Sequence, residues 1–514
     1  MTQGSAHLPD HLKPMLDAAC YPHPVDAIEL IQTHISWIFL TGNFAYKVKK
    51  PVDFGFLNFT SLNQRKDACM EELRLNRRLA AAIYLDLLPV YDNNKQPFKA
   101  GIDHDSASKV IDYAVKMVQF NQSDLFDVRL THHNFDPAWM DSLAVQIADF
   151  HRRTDTPPYV QSFGAPETLL AHIEANLTAC KEHLPDHPAI KTVAELLDKS
   201  ISRFNQDITL LKMRQKSGYI RDCHGDLHLK NITLFQGQPT AFDCIEFNEA
   251  FRMIDTMNDI AFLLMDCDSR ERGDLGYRFL SRYLEQSGDY DGLQLLPLYL
   301  SYRAGVRGKV SSLLEHELIQ EADSDQTERR QAHDDVSRYF ILADSYLSTT
   351  TTPELFAIGG LSGSGKSHLA LLALNHVNAV IIRSDATRKR IAKEHSSPPL
   401  YSKKMNELTY QSMLRAAKST IKAGYSVILD ATFLHTENRT AVETLAAKMN
   451  VTLHFYWLDV DAQQLRERVR HRSQHESDIS DADLQILDEQ LKHYVRPADS
   501  YIRFLDNSDY WPPV

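Results

Sequence analysis

The clearest chemical pattern in the chain is the run GLSGSGKS, from Gly360 to Ser367. Apolar stretches precede and follow it, which predicts a buried strand, a tight loop and the first turn of a helix. Glycines allow consecutive backbone N–H groups to approach phosphate oxygens at a helix N-terminus. Lys366 would then place a positive charge on the β- and γ-phosphates, and the Ser367 hydroxyl is placed to bind Mg²⁺. The residues predicted to bind ATP here are Gly360, Gly363, Ser364, Gly365, Lys366 and Ser367.

Two carboxylates follow the next predicted strands of the same region. Asp385 comes shortly after the apolar run Val380–Arg383, and Asp430 ends the run that begins at Ser426. Because ligands bind at the carboxyl ends of parallel strands, we predict Asp385 as the base for an acceptor hydroxyl and Asp430 as a Mg²⁺ ligand. Arg388 is predicted to bind an anionic substrate. Taken alone, the same residues also suit a helix cap at Asp385 and a solvated Arg388.

An arginine-rich segment, LRERVRHR, follows at Leu465–Arg472. Such a segment can close over the phosphates and stabilise the charge that develops during phosphoryl transfer. We predict Arg468 and Arg472 as the lid arginines. A basic surface helix is the alternative interpretation.

Together the runs GLSGSGKS, RSDATRKR, LDATF and RERVRHR resemble the small P-loop kinases of the polynucleotide-kinase and zeta-toxin type, over about residues 355–507. The resemblance implies that Asp385 is the acceptor base and that Arg388 grips a substrate phosphate. It also implies lid roles for Arg468 and Arg472. Members of that group phosphorylate nucleic-acid ends, nucleotide sugars or small metabolites, so the resemblance implies the reaction more closely than the acceptor.

A second chemical pattern, HGDLHLKN, lies at His224–Asn231. Its D-x4-N spacing matches the catalytic loop of eukaryotic-like kinases, where the aspartate accepts the proton of the substrate hydroxyl and the asparagine binds Mg²⁺. Asp226 and Asn231 fill those positions. Asp243, at the end of a predicted strand 17 residues after Asp226, is predicted as a second metal carboxylate.

Two residues upstream fit the same chemistry. Lys47 lies on a predicted strand, like the kinase lysine that contacts the α- and β-phosphates. Glu72 lies on the following predicted helix and is placed to orient Lys47, with Glu71 as an alternative partner. These matches weaken a purely structural interpretation of Asp226 as a helix cap and Asn231 as a buried polar residue.

Other residues around the second pattern have less specific interpretations. Cys223, His224 and His228 do not follow a common zinc-ligand spacing. Asp255 and Asp259 are interpreted as structural carboxylates that hold the catalytic loop.

The order of Lys47, Glu72, the HGDxHxxN pattern and Asp243 resembles the aminoglycoside phosphotransferase family, over about residues 25–345. The resemblance implies a kinase-like fold and ATP-dependent transfer to a hydroxyl acceptor, which in that family includes choline, sugars and other metabolites. One departure is that Gln32–Ser36 stands where a glycine-rich loop is expected. Another is that Ile245–Asn248 lacks the glycine that follows the metal aspartate in protein kinases.

These residues need two different scaffolds. Runs at Ser36–Leu40, Phe44–Val48 and Val110–Gln119 predict a β-rich lobe, with a helix over Asn63–Ala82 and a larger helical lobe after it. The C-terminal part alternates strands and helices, which predicts a parallel sheet with helices on both faces. Its strands are predicted near 355–359, 379–383, 426–430, 452–458 and 502–505.

The predicted fold class is therefore an α+β two-lobed kinase-like domain followed by an α/β P-loop domain. The run STTTTP, a Ser/Thr stretch that ends in proline, predicts a linker at 348–353. The predicted domains are residues 1–347 and 354–514.

Composition limits the partners. The chain has 514 residues, which is long for one domain, and a formal net charge of −12. Because extended nucleic-acid binding depends on Lys and Arg neutralising phosphates, that charge argues against long DNA or RNA partners. The six cysteines form no CxxC pair, and neither a signal sequence nor an apolar stretch long enough for a membrane span is seen. A cytoplasmic location is predicted, and the oligomeric state is left open.

The function predicted from the sequence is an ATP- and Mg²⁺-dependent kinase with two unlike sites, acting on a small molecule, a nucleotide or a nucleic-acid end. Two alternatives remain. In one alternative, one half serves only to bind nucleotide or recruit substrate, with the N-terminal half the stronger candidate because it lacks a glycine-rich loop. The other alternative is a toxin-like kinase of nucleotide sugars in the P-loop half.

Overall fold

The computed structural model describes residues 8–92, 109–154, 156–320, 325–348, 352–393, 397–400, 402–473, 484–506 and 508–512. They group into two compact units. The first unit comprises residues within 1–136, 153–164 and 218–259. The second comprises residues within 137–152, 165–217 and 260–514.

In chain order, the strands are β1 (Glu29–Gln32), β2 (Ser36–Leu40), β3 (Phe44–Lys49), β4 (Tyr84–Tyr91), β5 (Val110–Val118), β6 (Ile220–Asp222), β7 (Ile232–Phe235), β8 (Gln238–Ala241), β9 (Met253–Asp255), β10 (Leu355–Gly360), β11 (Ala379–Arg383), β12 (Ser426–Asp430), β13 (Leu453–Leu458) and β14 (Ile502–Leu505).

The α-helices are α1 (Leu62–Ala80), α2 (Phe126–Thr131), α3 (Ala138–Arg153), α4 (Pro158–Phe163), α5 (Pro166–His183), α6 (Ile190–Lys216), α7 (Glu249–Arg252), α8 (Thr256–Asp268), α9 (Gly273–Ser287), α10 (Leu296–Gln320), α11 (Gln326–Ser348), α12 (Lys366–Ala373), α13 (Ser384–Ala392), α14 (Lys403–Lys422), α15 (Thr436–Met449), α16 (Ala462–Ser473) and α17 (Leu484–His493).

The first unit is built on an antiparallel sheet in the order β1-β2-β3-β5-β4. Helix α1 connects β3 to β4 and starts with a capping box, in which Ser61 and Gln64 each bond the other's backbone N–H. The HGDLHLKN loop connects β6, which pairs antiparallel with β9, to the hairpin β7–β8. This unit therefore contains the predicted β-rich lobe and the catalytic loop.

The second unit combines helices from the middle of the chain with a parallel sheet in the order β11-β12-β10-β13-β14. Strand β10 lies at the centre of the sheet, and all of its residues are apolar and buried. A strand that is covered on both faces is expected to have this composition. The core beside it includes Ile358, Leu369, Ile381 and Tyr456. The predicted parallel α/β architecture is confirmed.

Most predicted element bounds agree with the structure within a residue or two, including β2, β3, β5 and α1. Half of the predicted linker at 348–353, residues 349–351, lies outside the described residues, and Ser348 is the last residue of α11. The domain bounds 1–347 and 354–514 stay a prediction.

Candidate active sites

Lys47 lies at the centre of the polar cluster in the first unit. Its ammonium is 2.8 Å from Glu72 Oε1 and 2.5 Å from Asp243 Oδ1. Burial disfavours a charged lysine, but Asp243 and Glu72 raise the pKa of Lys47 well above the ordinary value. Strand β3, helix α1 and the segment after β8 therefore converge on one permanently charged ammonium.

The structure decides between the two glutamates considered as partners. Glu72 is fully buried and contacts Lys47, whereas Glu71 pairs with Arg74 at 2.6 Å and with Arg252 at 2.9 Å. Burial raises the pKa of Glu72, but the opposing effects of Lys47 and Lys49 lower it to about 2.

Lys49 and Glu246 were missed by the sequence analysis. Both are buried, and Lys49 pairs with Glu246 and, at 2.5 Å, with Glu72 Oε2. Lys49 lies two residues after Lys47, on the same face of β3, so strand alternation is a signal that could have identified it. The result is a chain of charges from Asp243 through Lys47, Glu72 and Lys49 to Glu246.

The HGDLHLKN loop places Asp226 and Asn231 in direct contact. Asn231 Nδ2 donates to Asp226 Oδ2 at 2.9 Å, and His228 Nε2 lies 3.3 Å from the same oxygen. His224 Nε2 lies 2.9 Å from the carbonyl oxygen of Phe242, the residue before Asp243. The loop is thereby tied to the strand end that carries the predicted metal carboxylate.

Asp259 bonds the backbone at the start of this loop. Its two carboxylate oxygens accept the N–H groups of His224 at 3.2 Å and Gly225 at 2.8 Å. Asp255 accepts the Met257 N–H at 2.8 Å at the start of α8. The two Asp259 contacts are of the kind that the predicted holding role requires, whereas this Asp255 contact caps the start of α8 and leaves its predicted role untested.

The turn between β1 and β2 differs from a glycine-rich loop in sequence and in bonding. Thr33 Oγ1 accepts the N–H groups of Ile35 at 3.3 Å and Ser36 at 3.0 Å. This turn is therefore held by a side chain, where a glycine-rich loop would leave backbone N–H groups to face phosphate.

The GLSGSGKS loop joins β10 to α12 in the second unit. Gly360, Gly363 and Gly365 all have positive φ, and Gly365 caps α12. Ser367 Oγ donates to Asp430 Oδ2 at 2.6 Å, while Lys366 Nζ donates to the Leu361 carbonyl at 2.9 Å. Ser364 lies within the loop and is buried.

Asp430 is fully buried at the end of β12, next to the loop. Burial raises the pKa of its carboxyl, and the charges of Lys366 and Arg383 oppose that effect. Ser367 and Asp430 thus come together as the sequence predicted. Their two oxygens are hard ligands of the kind that Mg²⁺ prefers, and Asn231 and Asp243 offer the same chemistry in the first unit.

Asp385 lies in the first turn of α13 and forms an ion pair of 2.8 Å with Arg388, three residues further along the helix. Arg388 also donates to Asn406 at 3.4 Å. Arg468 reaches the loop from α16, where its Nη1 donates to the Ser364 carbonyl at 3.3 Å. The Arg472 side chain lies outside the described residues.

A further loop contact was not anticipated from the sequence. Gln490, on α17, accepts the Ser362 N–H at 2.9 Å. Helices α16 and α17 pack together through Leu465, Val469 and Leu487, and Leu361 of the loop joins this cluster. The segment predicted as a lid therefore contacts the loop in two ways. The Arg468 side chain bonds a backbone carbonyl of the loop, and apolar side chains of α16 pack against Leu361.

The fold and the two clusters define a class of protein in which a kinase-like region is fused to a P-loop domain. The sequence family described as "AAA domain" matches residues 355–497. The predicted fusion is confirmed.

The uncharacterized protein Rv2004c of Mycobacterium tuberculosis is 30% identical over 483 residues, which cover 91% of this chain and 91% of that protein. The uncharacterized protein Mb2027c of Mycobacterium bovis matches with the same figures. The chain belongs to the family that these mycobacterial proteins represent.

Two solved structures resemble separate parts of the chain. An ethanolamine kinase of Plasmodium vivax is 11% identical with a TM-score of 0.35, covering 61% of this chain and 80% of that one. A gluconokinase of Sinorhizobium meliloti is 21% identical with a TM-score of 0.23, covering 30% of this chain and 82% of that one.

Among the helices in the described part of the chain, none is both long enough and apolar enough to cross a membrane.

Proposed function

We propose that this chain, an ATP-dependent phosphotransferase by class, carries two unlike kinase sites that transfer the γ-phosphate of ATP to hydroxyl acceptors. One observation carries the proposal: two separate lysine–carboxylate clusters are assembled, each beside oxygen ligands suited to Mg²⁺. In the first, Lys47 contacts Glu72 and Asp243. In the second, Ser367 contacts Asp430 next to Lys366.

At the first site, Asp226 takes the proton of the acceptor hydroxyl, and Asn231 holds its carboxylate in place. Lys47 contacts the α- and β-phosphates, and Glu72 fixes its ammonium. Asn231 and Asp243 would hold Mg²⁺, which supplies charge neutralisation to the phosphate oxygens when bound.

At the second site, the N–H groups of the GLSGSGKS loop bind the phosphates, and Lys366 contacts the β- and γ-phosphates. Ser367 and Asp430 would hold the metal. Asp385 is the acceptor base, and Arg388 holds an anionic group of the acceptor once their mutual ion pair opens. Arg468 stabilises the developing charge.

The acceptors are small hydroxyl compounds or nucleotides, since the net charge of −12 disfavours long nucleic acid. A second candidate function has a specific observation in its favour. The turn at Thr33–Ile35 is held by the Thr33 side chain, which suits a first site that binds nucleotide without transferring phosphate.

Two single substitutions test the assignment, with a metabolite library and γ-labelled ATP as the assay. Asp226→Ala should abolish the transfers made at the first site, because it removes the proposed acceptor base, and Lys366→Ala should abolish those made at the P-loop. Each is expected to lower its own transfers by at least 100-fold. If every transfer survived Asp226→Ala and none survived Lys366→Ala, the result would favour a non-catalytic first site. Transfers insensitive to both changes would refute the two-site proposal.

A further inference from the structure

A buried ion pair links helix α9 to the end of strand β11 in the second unit. Arg383 Nε and Nη2 donate to the two carboxylate oxygens of Glu285, each at 2.5 Å. The Glu285 side chain is 1% exposed and that of Arg383 is 17% exposed. Arg282 adds a contact of 3.0 Å to Glu285. Such a pair is costly to break, because the largely buried Arg383 guanidinium would lose its bidentate partner.

The helix is fixed against the strand by a second contact. Strand β11 is an edge strand of the parallel sheet, so one of its edges offers N–H groups that no neighbouring strand in the described part of the chain accepts. The Ile381 N–H instead donates to Ser281 Oγ at 2.9 Å. Ser281 and Glu285 lie one helical turn apart on α9, so the same face of this helix binds both the backbone of β11 and its last side chain.

Arg383 also lies beside the P-loop site. It is the register partner of Asp430 on the neighbouring parallel strand, so both side chains leave the same face of the sheet. Asp430 accepts the Ser367 hydroxyl at 2.6 Å. Ser367, Arg383 and Glu285 line one cleft. The guanidinium therefore lies next to the two oxygens proposed to hold Mg²⁺.

We propose that Glu285 is a positioning residue for the P-loop site, which holds Arg383 away from Asp430 and so keeps the Asp430 carboxylate open to Mg²⁺. This inference rests on the function proposed for that site. Without Glu285, the guanidinium is released next to Asp430 and forms the ion pair that competes with the metal. Glu285 precedes the family match at 355–497, so a helix outside the P-loop domain sets the charge at its metal position.

The test measures Mg²⁺-dependent binding of ADP to the full-length chain by calorimetry. The binding that Lys366→Ala removes is assigned to the P-loop site. Glu285→Gln should raise the Mg²⁺ concentration for half-maximal binding by about tenfold or more, as expected for a close charge pair. Arg383→Gln should leave that concentration at or below the wild-type value, and the double substitution should return it to that value.

Asp274→Asn is the matched control, because it breaks a bidentate arginine pair on the same helix whose members do not line the cleft. It should leave the Mg²⁺ dependence unchanged. A wild-type value in Glu285→Gln would overturn the proposal, as would a raised requirement that persists in the double variant. If Glu285→Gln does not fold, Arg383→Gln still tests the proposal. A higher Mg²⁺ concentration for half-maximal binding in that variant would contradict competition between Arg383 and Mg²⁺ for Asp430. ADP binding that Lys366→Ala does not reduce would instead refute the proposed function of the loop.

Discussion

At the scale of single residues, the first site depends on a balance of buried charge. Two lysines, Lys47 and Lys49, share Glu72, and each has one further carboxylate. A buried charge that loses its partner costs far more than a surface one. These ion pairs therefore hold the Lys47 ammonium in place, and a single substitution at Glu72 is expected to disturb it.

Glu72→Gln should lower the free energy of unfolding by roughly 3–5 kcal/mol, because two buried ammoniums lose the charge they share. It should also abolish nucleotide binding at the first site, since Lys47 is no longer oriented. Urea unfolding gives the stability, and calorimetry in a Lys366→Ala background isolates the nucleotide binding of this site.

Glu71→Gln is the neighbouring control. Glu71 is 28% exposed at its side chain and does not contact Lys47, and its partner Arg252 keeps a second carboxylate in Asp222, so its loss should cost less than that of Glu72 and leave nucleotide binding intact. Equal effects of the two substitutions would contradict the assigned pairing.

The sign of the pH dependence follows from the same cluster. The pKa of Glu72 is lowered to about 2 by Lys47 and Lys49, against the effect of burial. A carboxyl with a lowered pKa stabilises the fold above its unfolded value, near 4.5, and loses that contribution as the pH falls towards 2. Protonation of Glu72 therefore destabilises the first unit as the pH falls from about 4.5 to about 2.

At the scale of elements, the structure shows which features the sequence could predict. Strand periodicity and the GLSGSGKS and HGDLHLKN patterns are local, so β2, β3, β10 and their loops were predictable. The pairs Lys49–Glu246 and Glu285–Arg383 join residues 197 and 98 positions apart. Such contacts depend on how elements pack, which spacing along one chain does not determine.

The HGDLHLKN loop, proposed to be catalytic, also has an element-scale requirement at Gly225. Its φ is +86°, and a Cβ there would lie 2.9 Å from the Phe251 carbonyl oxygen, next to α7. Gly225→Ala therefore combines an unfavourable backbone conformation with a clash against a backbone atom. We expect a loss of roughly 2–4 kcal/mol in urea unfolding and loss of nucleotide binding at the first site.

Gly42, in the turn between β2 and β3, separates the two effects. Its φ is +90°, but a Cβ there meets nothing within 4 Å. Gly42→Ala should cost about 1 kcal/mol, from backbone conformation alone. If both variants lost the same stability, the contact with Phe251 would not be what requires a glycine in the loop.

At the scale of the whole molecule, the second unit makes one body of the middle helices and the P-loop sheet. The carboxyl group of Asp268 is mostly buried where these helices and the sheet meet. Asp268, at the end of α8, accepts the Tyr346 hydroxyl of α11 at 2.7 Å. Burial raises the pKa of the phenols of Tyr277 on α9 and Tyr425 just before β12, and the charge of the nearby Asp268 adds to the effect.

This junction should make the second unit less stable as the pH rises. Burial raises the pKa of Asp268 to about 6, although the Tyr346 bond opposes it. A carboxyl with a raised pKa contributes its full stability below the unfolded value, near 3.8, and loses it as the pH rises through about 6. A difference of about two pKa units corresponds to roughly 2–3 kcal/mol.

Asp268→Asn keeps the shape of the side chain and its acceptor for Tyr346, but removes the charge. Its free energy of unfolding relative to wild type should therefore increase by roughly 2–3 kcal/mol between pH 4 and pH 7, measured by urea unfolding at several pH values. The exposed Asp334→Asn on α11, whose side chain is 65% exposed, should show little change over the same interval, because water contacts that carboxylate in both states. A flat difference for Asp268→Asn would mean that the carboxyl stays hydrated where the middle helices meet the P-loop sheet.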